Sequence, residues 1–200
     1  MMANYKWIFK TVLSVLILSF LPSLAHAHIG VGVTSGWAHG VLHPFLGLDH
    51  LCAMLAVGLW ARQMGGRALW VIPLTFVSVM ALGGLFGMTE TSLHFVEGGI
   101  FFSLIALGFL VAVAIQLPLS ASACIVGMFA LFHGYAHVTE LPKSASGLSY
   151  VLGFMLSTAL LHIVGIAMAT GLAKIGRLQW LRLIGACIAM FGGTLYFFLN

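Results

Sequence analysis

Six stretches of the chain are apolar almost without interruption: about 41–61, 68–88, 96–116, 120–140, 148–170 and 180–199. Each is close to the ~20 residues that an α-helix needs to cross a bilayer core. The pattern predicts an all-α fold, a polytopic integral membrane protein with six transmembrane helices. A shorter apolar stretch, Thr11 to Leu21, follows Lys6 and Lys10 and precedes Ala25-His26-Ala27. That order of basic, apolar and small-x-small segments is the pattern of a cleavable secretory signal peptide, and the stretch is short for a span. Cleavage after Ala27 gives a signal over 1–27 and a six-helix transmembrane domain over 28–200. The alternative is a retained anchor helix.

Charge orients the helices. A cleaved signal leaves the mature N-terminus outside, which makes the 62–67 and 171–182 connections cytoplasmic. These hold Arg62, Arg67, Lys174, Arg177 and Arg182, whereas the outer connections hold only Lys143, in agreement with the positive-inside rule. Trp60, Trp70 and Trp180 fall at the inner boundary and Trp37 and Tyr150 at the outer one, as an aromatic belt would. At 62% hydrophobic and 6% charged, the composition excludes an ordinary soluble domain. The formal net charge of +4 comes from scattered residues flanking apolar runs, so it points to topology and not to nucleic acid. Cys52, Cys124 and Cys187 lie far apart in apolar runs and read as buried small hydrophobes. Gly83-x-x-x-Gly87 has the spacing for close helix packing. No G-x-x-x-x-G-K-[ST] loop occurs, so no ATPase is built into the chain.

Ionisable side chains inside such runs are costly, roughly 2.5–3.5 kcal/mol for Asp at mid-helix. His43-Pro44-Phe45-Leu46-Gly47-Leu48-Asp49-His50 opens the first run, with Pro44 suited to a first helical turn. On one continuous helix His43 and His50 face the same way, roughly 10 Å apart along the axis. His39 lies one turn above His43, and Asp49 points about 100° away from His50. The fourth run closes on Phe132-His133-Gly134-Tyr135-Ala136-His137-Val138-Thr139-Glu140, where His133, His137 and Glu140 share one face. Packed antiparallel, the two ladders match His50 with His133, His43 with His137 and His39 with Glu140. Glu97 opens the third run at the same outer level, and His162 lies in the fifth, roughly 20 Å down. Imidazole with carboxylate suits borderline divalent metals such as Ni, Zn, Co and Cu. With the signal removed, the α-amino group and ring of His28 would offer a bidentate chelate at the outer face, the alternative being an ordinary first residue. The residues alone leave three readings: a metal permease path, an intramembrane hydrolase using Zn²⁺-activated water, and a bis-His haem membrane protein.

H-P-F-L-G-L-D-H followed by L-C-A-M-L-A-V-G, then F-H-G-Y-A-H-x-x-E, resembles the HupE/UreJ family of bacterial nickel and cobalt permeases. The similarity covers essentially the whole chain, including Leu161-His162. It implies a nickel or cobalt ion permease and not an enzyme, carrying the ion from periplasm to cytoplasm across the inner membrane, with both mature termini periplasmic. It implies metal roles for His43, Asp49, His50, His133, His137 and Glu140, no permanently bound cofactor, and Ni²⁺ or Co²⁺ as cargo. The expected partners are the ion and the lipid bilayer, with no nucleic acid and no ATPase subunit. Capture would begin at Glu97, Glu140 and His39, with His162 further in, and selection would fall between the two ladders. Val138 stands where the family has a small residue, usually Gly, and would narrow the space beside His137.

Overall fold

The computed structural model describes residues 36–89, 93, 95–139 and 147–199. The expected signal peptide, His28 and Glu140 lie outside the described residues. Among the described residues seven helices follow one another: α1 (Gly36–Leu46), α2 (Leu48–Met64), α3 (Ala68–Gly87), α4 (Val96–Val113), α5 (Leu119–Thr139), α6 (Gly147–Lys174) and α7 (Leu178–Leu199). Of these, α3 to α7 are each long and apolar enough to cross a membrane, and α1 with α2 pass the same test only as a pair. Large apolar side chains such as Leu74, Leu82, Phe102, Phe109 and Ile163 are exposed on the outside, the surface that lipid tails would solvate.

The first expected span is broken. α1 and α2 meet at an angle of 81°, so the ladder His39, His43, His50 does not run along one axis. Pro44 lies in the last turn of α1 and not in a first turn. Its ring nitrogen carries no proton to continue the α-helical ladder, and Gly47 then takes an extended conformation before α2 begins.

α2 is the central helix. It packs against α3, α4 and α6 and buries Met54, Val57, Leu59 and Trp60 completely. Trp60 is therefore not a belt residue: its indole N–H donates to the Ile115 carbonyl at 3.0 Å, as a buried Trp requires. Tyr150 is also fully buried, whereas Trp37 and Trp70 are exposed. Nor is Cys124 buried; it is exposed, with Cys52 and Cys187 half-buried.

Glycines set the helix contacts. A Cβ on Gly83 would meet the backbone of Leu131, and one on Gly134 the backbone of Met80, so α3 and α5 lie backbone to backbone. The expected packing role of Gly83 and Gly87 holds, with Gly87 against Tyr135. Gly58 faces Gly165 between α2 and α6, Gly108 faces Gly185 between α4 and α7, and Gly40 meets Tyr150 between α1 and α6. Small residues allow this approach in a setting where lipid offers apolar contacts of its own. Val138 belongs to the same seam, its Cγ2 packed toward Gly84 of α3.

Candidate functional site

The break between α1 and α2 brings three helix ends together. His43 lies in the last turn of α1, Asp49 and His50 open α2, and His133 and His137 lie toward the end of α5. The rings of His50 and His137 are 4.5 Å apart between centroids, His43 and His137 4.8 Å, and His50 and His133 5.1 Å. The expected pairs at two levels are thus present, and the bend adds contacts that a straight helix forbids. His43 and His50 sit 6.0 Å apart, edge to face, instead of two turns apart. His39 is 6.2 Å from His43.

Two hydrogen bonds fix two of the rings. Asp49 does not point away from His50. Its Oδ1 accepts from the His50 backbone N–H at 2.7 Å and lies 2.8 Å from His50 Nδ1. An ionised carboxylate only accepts, so Nδ1 carries the proton and Nε2 keeps the lone pair that can bind a metal. Ser103 of α4 donates to the Ile100 carbonyl at 2.6 Å. Its single proton is thereby used, and it accepts from His133 Nε2–H at 3.0 Å. The lone pair of His133 is then on Nδ1, which has no hydrogen-bond partner among the described residues.

Gly47 makes room for the first pair. A Cβ there would stand 2.8 Å from Asp49 Oδ1 and 3.2 Å from His50 Nδ1. Gly47→Ala should therefore displace the pair and lower metal uptake several-fold without loss of the protein from the membrane. Uptake assays at matched abundance check this, and unchanged uptake would show that the pair tolerates displacement.

Both ring nitrogens of His137 and of His162 are buried without a hydrogen-bond partner among the described residues. His137 stacks on Phe154 at 4.7 Å. Phe76 of α3 lies between His133 and His162, 5.6 Å from one ring and 5.2 Å from the other. The file of imidazoles is thus closed by one aromatic ring before its last member. Tyr150 packs 5.9 Å from His39 and 6.0 Å from His43. Exposed Glu97 lines an open cavity of about 380 Å³ together with Asp49 and His50, which connects it to that pair and not to His39. Among the described residues, no three His, Cys, Asp or Glu side chains are set to hold a metal ion in this conformation.

The site roles of Ser103, Phe76, Tyr150, Phe154 and Gly47 are not legible in the sequence, which suggests Tyr150 only as a belt residue and Gly47 only as part of the His43–His50 motif. Ser103 left a faint signal, as a lone hydroxyl at mid-run in an otherwise apolar span. The aromatic residues and Gly47 left none, because such residues are common in any membrane helix.

Fold and site together define a multi-pass helical membrane protein whose interior holds a file of buried histidines. The chain belongs to the HupE/UreJ family, whose members are metal transporters and not enzymes. The family model described as HupE / UreJ protein matches residues 16–195. A relative named Protein HupE, from Rhizobium leguminosarum bv. viciae, is 43% identical over 176 residues, covering 88% of this chain and 91% of that protein. No solved structure matches.

Proposed function

We propose that the chain is a permease for Ni²⁺, and for Co²⁺ as the alternative cargo, carrying the ion from periplasm to cytoplasm across the bacterial inner membrane. The observation that carries this reading is the set of buried imidazole nitrogens on His133, His137 and His162 that have no hydrogen-bond partner among the described residues. Leaving a polar group buried and unpaired costs about 1–3 kcal/mol. A passing cation would satisfy these nitrogens in turn.

The ring spacings support the exchange. A metal–nitrogen bond of about 2.0–2.1 Å puts a ligating ring's centroid about 3.2 Å from the ion, so two such rings at roughly 90–110° lie about 4.5–5.3 Å apart. The pairs His43–His137, His50–His137 and His50–His133 span 4.5 to 5.1 Å. Rotation of the rings could then pass an ion from pair to pair without any helix moving far. Several incomplete sites in series suit transport, where binding must also be weak enough to release. Phe76 would be the ring that moves to admit the ion to His162.

Asp49 positions His50 in this scheme and adds negative charge beside it. Glu97 is the capture group at the mouth of the cavity. The arginines of the 62–67 and 171–182 connections favour a cytoplasmic position for the end of the bundle away from Glu97, in keeping with a cleaved signal and both mature termini periplasmic. His28 would then be an outer chelate, and Glu140 a further capture group beside His39. A haem needs a flat slot between its axial rings, and the imidazoles here are in mutual contact.

Radiolabelled nickel uptake by cells expressing the chain, with cobalt and zinc as competitors, tests the proposal. Uptake should rise above that of control cells and fall with excess cobalt more than with zinc; no rise would overturn it. Glu97→Gln should raise the nickel concentration giving half-maximal uptake while leaving the maximal rate nearly unchanged. A lowered maximal rate would place Glu97 in the selective region.

A further inference from the structure

A second cavity, of about 440 Å³, lies at the far end of α2, where Arg62 and Gln63 line it, about 12 to 13 residues from His50 and so roughly 20 Å away along the axis. Its walls come from α2, α6, the start of α7 and the segment after α4, and include Arg62, Gln63, Gln116 and Arg182. Among the described residues, no carboxylate lines it. Two guanidinium groups without a counter-charge repel a divalent cation and attract an anion, so this cavity does not continue the histidine file.

Its polar groups are held in place. Arg62 donates through Nε to Thr170 Oγ1 at 3.0 Å, and Arg182 through Nε to the Ala112 carbonyl at 2.7 Å. Each bond uses the inner edge of a guanidinium and leaves the terminal Nη donors, the fork that binds phosphate oxygens. The 22-residue helix α7 begins at this cavity with Leu178 and Leu181 in its wall, adding the positive end of a helix dipole. Gln63 donates through Nε2 to the Val111 carbonyl at 2.9 Å. Its Oε1, by contrast, is buried with no hydrogen-bond partner among the described residues. That acceptor calls for a hydroxyl or amine donor next to the anion.

We propose that this cavity binds the headgroup of an anionic glycerophospholipid, with Arg62 and Arg182 on the phosphate and a headgroup hydroxyl donating to Gln63 Oε1. The neighbouring Ile175 and Leu178 are exposed apolar residues on which the acyl chains would lie. Basic pockets between spans at the cytoplasmic face bind such headgroups. The lipid would tie α2 and α6 to α7, helices that otherwise touch α7 only lightly, and would cancel the positive field at the inner end of the bundle.

The test is thermal melting of the delipidated full chain in detergent, with phosphatidylglycerol, phosphatidylcholine or inorganic phosphate added. Phosphatidylglycerol should raise the melting temperature by about 5 °C at saturation, and the other two should leave it near its starting value. Arg182→Gln and the double variant Arg62→Gln/Arg182→Gln should lose that rise. Arg67→Gln, an exposed arginine at the same end but outside the cavity wall, should keep it. Should the double variant fail to fold, exposed Arg182 alone carries the comparison. An equal rise with phosphatidylcholine, an equal rise with inorganic phosphate, or a full rise in Arg182→Gln would each overturn the proposal.

Discussion

His137→Leu should leave the protein as stable as the wild type or slightly more so, yet bring nickel uptake close to background. The two halves of this expectation have one cause. The His137 ring lies 4.5 Å from His50 and 4.8 Å from His43, so it is the step that both outer rings share. Its nitrogens are also buried without hydrogen-bond partners among the described residues, a condition that costs about 1–3 kcal/mol. Leucine removes that cost and keeps apolar contact with Phe154, at the loss of ring stacking. Asp49→Asn should be milder, since it disturbs a ligand's partner and not a ligand; such changes lower metal affinity about 10–100-fold. Detergent melting and uptake measured on the same preparations check both. A His137→Leu protein that melts much earlier than wild type would assign the residue to the fold and not to transport.

Gly134→Ala should have the largest effect on the fold. Its Cβ would be driven into the Met80 carbonyl and against Gly84 N at 2.9 Å, and backbone atoms cannot rotate away as a side chain could. α3 and α5 would have to separate along their glycine seam, carrying His133 and His137 with them. The variant should fail to accumulate in the membrane, or melt well below wild type where it does. Gly193→Ala is the comparison, because nothing lies within 4 Å of a Cβ there, and it should accumulate normally. Equal abundance of the two variants would mean that the seam is looser than the contacts imply.

The sequence made the facing histidines legible because helical spacing alone aligns His133 with His137, and antiparallel packing then sets their levels against His50 and His43. The break did not emerge. Pro44 suits a first turn better than the last one it occupies, and a single Gly47 in an apolar run gives no sign of an 81° bend. That bend turns Asp49 from a residue facing away into the partner of His50. Trp60 and Tyr150 were misplaced for a related reason. Position along a run fixes depth in the bilayer but not rotation about the helix axis, and rotation decides whether an aromatic residue meets lipid or the core. Ser103 is oriented by the α4–α5 contact with His133, a tertiary fact that the α4 sequence does not carry.

The central claim is that the ion passes between the rings of α1, α2 and α5. It is tested most directly by radiolabelled nickel uptake into vesicles holding equal amounts of wild type, His50→Ala, His133→Ala and Cys124→Ala protein. Near-background uptake in both histidine variants, with Cys124→Ala close to wild type, is the expected result. Most of the wild-type rate surviving in His50→Ala or His133→Ala would contradict the path.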